Sequence, residues 1–233
     1  MMEGGGYALL IAGVAALGAA GLWVARDYRA WRALGIGGLP HTARGWLKMT
    51  RWRLMAGDVL STAVIDRDVG APGDCDNLAD LPPRCGMRPR IAPHPVPHRQ
   101  LDQHIPEGLR PLHQAVFDRH VAAGDASLHY ARSHFERHNQ AITLRCPDHG
   151  HPVACATCGE IAHIHPSDGS MHMILSPSDA RHVIAGGWGE RHGLAGKALG
   201  LPTTYLLIYA PQDADGLAMI DRILGASIRY MSS

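Results

Sequence analysis

Nineteen consecutive residues near the amino terminus, Tyr7 to Ala25, carry no charged side chain: YALLIAGVAALGAAGLWVA. Wound as a helix at about 1.5 Å per residue, this run is about 28 Å long, close to the hydrocarbon thickness of a bilayer. A helix that is apolar all round has no face to offer water, so it belongs in a membrane or deep in a core. A core helix of a chain this size would usually show a polar stripe. A cleaved leader would carry positive charge ahead of the run, whereas MMEGGG offers only Glu3. The run is therefore read as a retained transmembrane helix. Arg26, Arg29, Arg32, Arg44, Lys48, Arg51 and Arg53 follow it, against Asp27 alone. Positive flanks stay on the cytoplasmic side, which predicts a single-pass protein with its C-terminal domain in the cytoplasm. Trp31, Trp46 and Trp52 are interleaved with these cations, a composition that suits anionic lipid headgroups. No clean amphipathic face runs from Trp46 to Met55 to make that helix lie on a membrane.

The remaining 200 or so residues are enough for one domain with a proper core. Four segments are predicted: an anchor (1–25), a basic juxtamembrane stretch (26–69), a Pro/Gly-rich loop (70–98) and an α+β domain (99–233). The formal net charge is +1, which gives no field for nucleic acid, and no nucleic-acid partner is expected. Cys75, Cys85, Cys146, Cys155 and Cys158 make an odd set, against a closed disulfide framework and in keeping with reduced thiols facing the cytosol. The chain has 16 His but two Phe, and histidine is the side chain most suited to acid, base or ligand work near neutrality.

Regular structure is clearest in the C-terminal half. EIAHIH and MHMIL are short strand-like runs separated by the turn signal PSDGS. Ser176 and Pro177 open a helix that Gly186 and Gly187 close. TYLLIYA reads as a buried strand. DADGLAMIDRILGASIRYM places Leu217, Ile220, Ile223, Leu224 and Ile228 on one helical stripe. Upstream, EGLRPLHQAVFDRHVAA has helical spacing, and 127–144 reads as a weak strand pair. The fold class implied is α+β: a single domain with a mixed or antiparallel sheet and packed helices, preceded by one N-terminal transmembrane helix.

Three constellations carry candidate chemistry. In Glu160-Ile-Ala-His163-Ile-His165, followed by Asp168, Ser170 and His172, alternation puts His163 and His165 on one strand face and Glu160 on the other. If PSDGS closes a hairpin, His172 returns beside the pair. Three imidazoles on one face suit a catalytic or metal site, although no carboxylate falls on that face; the bland alternative is structural histidines that have found partners. The second is Gly187-Trp188-Gly189-Glu190-Arg191-His192, read as a loop, with Trp188 to cover an aromatic ligand and Arg191 to bind an oxyanion, or else a Trp that plugs the core. The third is Cys146, His149, Cys155 and Cys158, whose spacing resembles zinc knuckles, a candidate structural zinc site set against a metal-free loop.

These motifs together resemble the fungal luciferase family. The most specific stretch runs from Glu160 to Gly196, EIAHIHPSDGSMHMILSPSDARHVIAGGWGERHGLAG, and LIYAP (207–211) and ILGASIRYM (223–231) continue it in order. Shorter likenesses lie upstream at Arg26-Asp27-Tyr28, Arg44-Gly45-Trp46, LADLP (78–82), Arg88-Pro89, Arg99-Gln100, and Phe135-Glu136 with His138. The Cys/His stretch from Cys146 to Cys158 departs from the family's pattern. The resemblance implies a membrane-anchored oxygenase that needs only molecular oxygen as co-substrate, with no flavin, haem or nicotinamide. In that chemistry an enolate of a hydroxylated α-pyrone such as 3-hydroxyhispidin adds oxygen, forms a cyclic peroxide and loses carbon dioxide.

On this reading His163, His165 or His172 is the base, and Arg191 and His192 stabilise the anion. Trp188 and Tyr209 stack on the ring. Glu160, Asp168, Ser170, Glu136 and His138 complete the substrate site. The partners expected are a small aromatic or pyrone-like substrate and membrane lipid. Two rivals stand beside it: a metal-dependent enzyme using His163, His165 and His172, and a non-catalytic small-molecule-binding member of the family.

Overall fold

The structure, a computed structural model, describes residues 3–124 and 127–233. Helix α1 (Glu3–Ala33) is followed by α2 (Ala43–Arg53). The chain then crosses a long stretch of turns to α3 (Arg110–Ala123), strands β1 (Leu128–Arg132) and β2 (Gln140–Leu144), and a short α4 (Pro152–Ala156). Next come β3 (Glu160–Ile164), β4 (Met171–Ile174), α5 (Pro177–Ala185), β5 (Gly189–Arg191), β6 (Tyr205–Ile208) and α6 (Ala214–Ser232). The six strands form one open sheet in the order β1-β2-β3-β4-β6-β5, antiparallel at every pairing. This is the α+β class that the alternation of apolar runs implied. One stretch read as a loop is in fact a strand: β5, inside GWGERH, pairs with β6 at the sheet edge. Three residues are too few to show a period of two, so the local sequence carried no strand signal.

Local chemistry sets the element ends. Ser176 caps α5 by accepting from the Asp179 N–H at 3.1 Å, and Pro177 occupies the first turn, where no N–H is needed. Asp213 caps α6 in the same way through the Gly216 N–H. The β3–β4 turn needs Gly169: its φ is +79°, and a Cβ there would stand 2.3 Å from Ile105 Cγ2.

The two faces of the sheet differ sharply. Ile142, Ala162, Met173 and Leu206 stand in register on one face and are fully buried. With Met171 they join the apolar core completed by Val116 and Phe117 of α3 and by Ile220, Ile223 and Leu224 of α6. The opposite face, through Ala141, His163, His172, Leu207 and Glu190, is largely polar. Among the described residues, irregular chain from 34–41, 88–104 and 133–139 seals most of that face, with Val96, His98, Arg99 and Glu136 buried and Trp52 of α2 at its margin.

Residues 26–98 contribute directly to the domain body. Trp31, Trp46, Met49, Ile65, Leu78 and Val96 are all core residues. The Trp31 indole is completely buried and donates to the Val96 carbonyl at 2.8 Å. Trp46 donates to Asp27 Oδ2 at 2.8 Å. These two tryptophans are therefore packed in protein rather than available to lipid headgroups. The third of this set, Trp52, is half-buried beneath the Lys48 ammonium. Helix α2 does have an inward face, made by Gly45, Trp46 and Met49. Among the described residues, the apolar part of α1 is not buried against the domain. Leu9, Ile11, Leu17 and Leu22 are each more than 60% exposed. The helix is long and apolar enough to cross a membrane, with a mean hydropathy of 1.8 in its candidate span. Its last two turns, carrying Asp27, Tyr28 and Trp31, dock on the domain.

Candidate active site

Strand pairing assembles a buried histidine cluster. His163 sits opposite His172 across the β3–β4 ladder, and His165 follows at the end of β3, two residues on. His165 Nε2 is 3.2 Å from His172 Nδ1, which is 3.4 Å from His163 Nε2. The remaining edge of His172, Nε2, is 3.4 Å from His98 Nδ1, and the His192 ring stands edge-on to His98 at 4.9 Å. All five rings are buried.

The expectation that Glu160 faces away from the histidines is corrected by the ladder itself. Ile142 pairs with Ala162, but Thr143 pairs with Glu160, so Ile161 is an extra residue in a β-bulge. The bulge breaks the alternation and brings Glu160 round to the histidine face, where Oε1 lies 2.6 Å from His163 Nδ1. Glu160 also accepts from the Ser133 hydroxyl and from the His134 and Phe135 N–H groups, tying the β1–β2 loop to β3. Burial pushes this carboxyl's pKa up. The bond and charge of His163, with the loop donors, more than offset that and hold it below the ordinary value.

That loop delivers Glu136. Its backbone N–H bonds to Ser133 Oγ at 2.9 Å, and its carboxylate lies 2.6 Å from Arg99 Nη2 and 2.6 Å from Asn139 Nδ2. It reaches to 3.6 Å from His165 Nε2 and 4.0 Å from His163 Nε2. His138 lies at the rim, its Nδ1 2.6 Å from the Glu136 carbonyl. Asp168 and Ser170 sit behind His165. Ser170 donates to Asp168 Oδ1 at 2.8 Å and accepts from His165 Nδ1 at 2.8 Å, while Asp168 Oδ2 accepts from the Gln100 N–H. These two residues thus orient a histidine.

Arg191 and Trp188 do not join the cluster. On β5, Glu190 and His192 share the histidine face, so strand parity turns Arg191 to the other side, where its guanidinium donates to the Asp58 carbonyl at 2.9 Å. The Trp188 indole donates to the Pro82 carbonyl at 2.7 Å and walls a separate hollow with Arg84, Pro211 and Met219. Tyr209 donates to Glu190 Oε2 at 2.8 Å and so supports a carboxylate. Cys146, Cys155 and Cys158 are free and exposed. Cys155 Sγ lies 3.1 Å from Asp148 Oδ1. Among the described residues, the groups of ligand atoms that converge are two, Glu136/His163/His165/His172 and His98/His172/His192, and neither includes a cysteine.

His98, which no sequence motif singled out, and Glu190, which the GWGERH motif contained without a role, complete the arrangement. His98 comes from the irregular Pro-rich stretch, and its Nε2 is 3.2 Å from Glu190 Oε1. Glu190 also holds the Arg88 guanidinium. Burial raises the Glu190 pKa, but the bonds from His98, Tyr209 and Arg88 bring it below the ordinary value. His98 had no periodic signal, being in a segment without regular structure; its one pointer was adjacency to Arg99-Gln100.

A pocket opens onto the cluster. His98, His172, His192 and Tyr205 line it on one side, and Trp52, Val96, Phe135 and Leu201 give it an apolar wall. Tyr205 leans over His172 with ring centres 4.6 Å apart. Burial, reinforced by neighbouring cations and rings, drives the pKa values of His165, His172 and His192 far below the ordinary value, so these imidazoles are neutral at physiological pH. Burial and the nearby Glu160 and Glu136 charges push the Tyr205 hydroxyl well up. The site therefore places neutral imidazoles, the Glu136 carboxyl group and an aromatic wall at a single opening.

A luciferase-domain profile matches residues 159–227, the stretch from β3 into α6. The luciferase of Armillaria mellea is 33% identical over 225 residues, covering 91% of this chain and 82% of its own length. That of Armillaria ostoyae is 34% identical with the same coverage. The luciferase of Neonothopanus nambi is 32% identical over 90% of this chain and 82% of its own. No solved structure matches. Identity of 33% held across 91% of the chain spans both the histidine face and the segments that seal it, and the protein belongs to the fungal luciferase family.

Proposed function

We propose that this protein is a membrane-anchored, luciferase-like oxygenase that acts with O2 on a small planar enol or α-pyrone of the 3-hydroxyhispidin kind. The observation that carries this is the pocket, where aromatic and apolar walls meet neutral imidazoles at one opening in a chain of this family. The base is His98. A carboxylate only accepts, so the Glu190 contact fixes the proton on His98 Nε2 and leaves a lone pair on Nδ1 at the pocket, where an enol hydroxyl would displace the long 3.4 Å contact with His172 Nε2. Glu190 holds the ring in that tautomer and favours the imidazolium that forms when the enol proton is taken.

His192 contributes wall rather than base, because its Nδ1 already accepts from the Leu194 N–H at 3.1 Å. Phe135, Tyr205 and Trp52 take the ring-covering part that Trp188 and Tyr209 cannot reach. The substrate enolate supplies the electrons that reduce O2. Oxygen adds to the ring and closes a cyclic peroxide; its O–O bond and the carbon–carbon bond to the lactone carbonyl break, carbon dioxide leaves and His98 returns its proton to the product anion, so no flavin, haem or nicotinamide enters the scheme. The exposed apolar length of α1 supports the anchor, and the basic flank after it supports a cytoplasmic domain.

The test is oxygen uptake and photon emission by the detergent-solubilised full chain with 3-hydroxylated α-pyrones. Expected is pyrone-dependent O2 consumption with carbon dioxide release, reduced about a hundredfold or more in His98→Gln. Pyrone binding without oxygen uptake would instead make the protein a binding member of the family.

A further inference from the structure

We propose that Glu136, His163, His165 and His172 bind one divalent first-row transition-metal ion, in a site behind the pocket that shares Glu136 and His172 with its wall. This assignment rests on donor geometry and is independent of which substrate the protein oxidises.

The first argument is proton bookkeeping. His163 Nδ1 faces the Glu160 carboxylate at 2.6 Å, so Nδ1 carries the proton and Nε2 the lone pair. Ser170 gives its hydroxyl proton to Asp168 and accepts from His165 Nδ1, so His165 Nε2 also carries a lone pair. Glu190 fixes the proton of His98 on Nε2, leaving Nδ1 to accept from His172 Nε2. That puts the lone pair of His172 on Nδ1. Three lone pairs and the Glu136 carboxylate therefore converge, all within 4.8 Å of one another, in a buried place where no proton lies between them. Acceptors gathered in this way repel unless a cation joins them.

The second argument is distance. A tetrahedral ion with bonds of about 2.1 Å to nitrogen holds its donor atoms about 3.4 Å apart. Here His172 Nδ1 is 3.2 Å from His165 Nε2 and 3.4 Å from His163 Nε2. Glu136 Oε1 is 3.6 Å from His165 Nε2. The three rings are tilted or edge-on to one another rather than stacked.

The third argument is the support behind the ligands. Metal-bound histidines characteristically give their second N–H to a carboxylate or another oxygen, which fixes tautomer and aim. His163 has Glu160, His165 has Ser170 and Asp168, and His172 has His98 backed by Glu190.

The fourth argument is charge. Glu136, Glu160, Asp168 and Glu190 are buried around the cluster. Arg99 pairs with Glu136 and Arg88 with Glu190. Four carboxylates against two guanidiniums leave a formal charge of two minus, which a divalent ion neutralises. Arg99 beside Glu136 weakens that carboxylate as a ligand, so the three imidazoles dominate the binding. A nitrogen-rich, thiolate-free donor set of this kind suits zinc, iron, cobalt, nickel or copper and disfavours magnesium and calcium.

The experiment uses the full chain made without a polyhistidine tag and held in non-ionic detergent. Metal content is measured as purified, and chelator-stripped protein is then titrated with Co2+ alone while its visible ligand-field bands are followed. Expected is about one ion per chain, without a sulfur charge-transfer band. The ion should be lost in His165→Ala and kept in the double variant Cys155→Ser/Cys158→Ser. If His165→Ala does not fold, Glu160→Gln is decisive. It keeps all four ligands, and Co2+ affinity should fall about 10- to 100-fold. Folded wild-type protein that binds no Co2+, an ion that follows the cysteines, two ions per chain, or an unchanged affinity in Glu160→Gln would each overturn the assignment. None of these readouts involves oxygen uptake, so failure here is distinguishable from failure of the oxygenase reading.

Discussion

Replacing Glu160 by Ala should destabilise the domain by about 3–5 kcal/mol, from orphaning a buried donor and losing hydrogen bonds to a charged group. Glu160 is 2% exposed and collects donors from three places: the Ser133 hydroxyl, the His134 and Phe135 N–H groups, and His163 Nδ1. His134 is exposed and Phe135 is half-buried, so water can replace the carboxylate at their amides at small cost. The imidazole N–H of His163 has no such recourse, because that side chain is completely buried. An orphaned buried donor costs about 1–3 kcal/mol, and the lost charge-assisted bond adds to it. For a domain of this size, 1 kcal/mol shifts the melting temperature by about 2–4 °C, so a fall of about 10 °C is expected. The assay is thermal unfolding of wild-type and variant full chains in the same detergent. Excess chelator in both samples keeps metal occupancy from contributing. Glu160→Gln should fall between them, because its amide oxygen can still accept from the loop. A drop under about 3 °C for Glu160→Ala, or under about 1 kcal/mol by this conversion, would refute the claim that this carboxylate ties the β1–β2 loop to β3.

Acid should act through His113, which burial and the neighbouring Arg110 hold at about 4, against an ordinary 6.5. A depressed histidine is neutral in the fold, so its contribution is complete above 6.5 and is lost as pH falls through 6.5 towards 4. The loss amounts to about 3 kcal/mol at pH 4. His113→Leu should flatten the pH dependence of urea unfolding by that amount, and an unchanged slope between pH 7 and 4 would contradict it. Removing residues 1–25 should shift the protein from the membrane fraction to the soluble one while leaving it folded. Removing 1–33 should also cost about 3–5 kcal/mol, because it deletes the buried Trp31. An intact chain that stays in solution without detergent would sink the anchor. Arg191→Gln should lower the melting temperature with less than a tenfold effect on turnover, whereas Glu190→Gln should cut turnover about a hundredfold by releasing His98. Equal kinetic losses in the two would mean that the strand parity is misassigned.

What the sequence could disclose depended on whether a residue's direction followed a period. His163 and His172 lie on paired strands with His165 at the end of one, and alternation plus the PSDGS turn was enough to bring them together. Glu160, three residues before His163, obeyed the same rule on paper. A single unpaired residue, Ile161, reversed its direction, and nothing in EIAHIH marks that bulge. Arg191 failed for a related reason. Read as part of a loop, it had no parity at all, and a charged side chain next to His192 looked like a partner for it. Once Gly189–Arg191 is a strand, Glu190 and His192 must share a face that excludes the residue between them. His98 and Glu136 lie in irregular chain, where direction is set by contacts distant in sequence, such as the Glu190 and Arg99 pairs. Trp31 and Trp46 misled for the opposite reason. Their composition fits an interface, but burial is decided by the partner surface, here the Val96 carbonyl and Asp27.

The division of labour between the two sheet faces follows from these placements. An antiparallel sheet can bury one face on helices and leave the other to water. Here α3 and α6 take the apolar face, where the completely buried Ile220, Ile223 and Leu224 stabilise the fold by roughly 1.5–3 kcal/mol each. The second face is also sealed, although its side chains are imidazoles and carboxylates that lose solvation when buried. A helix laid on that face would bring an apolar stripe and no spare polar groups, and would leave those side chains unpaired. Irregular chain brings free backbone N–H groups and polar side chains to arbitrary points, as the His134 and Phe135 amides do for Glu160 and the Gln100 amide does for Asp168. The long stretch of turns from 54 to 106 is thus the part of the fold that makes a buried polar face affordable. Its buried segment, Val96 to Gln100, supplies the His98 imidazole and the Arg99 guanidinium that hold Glu190 and Glu136.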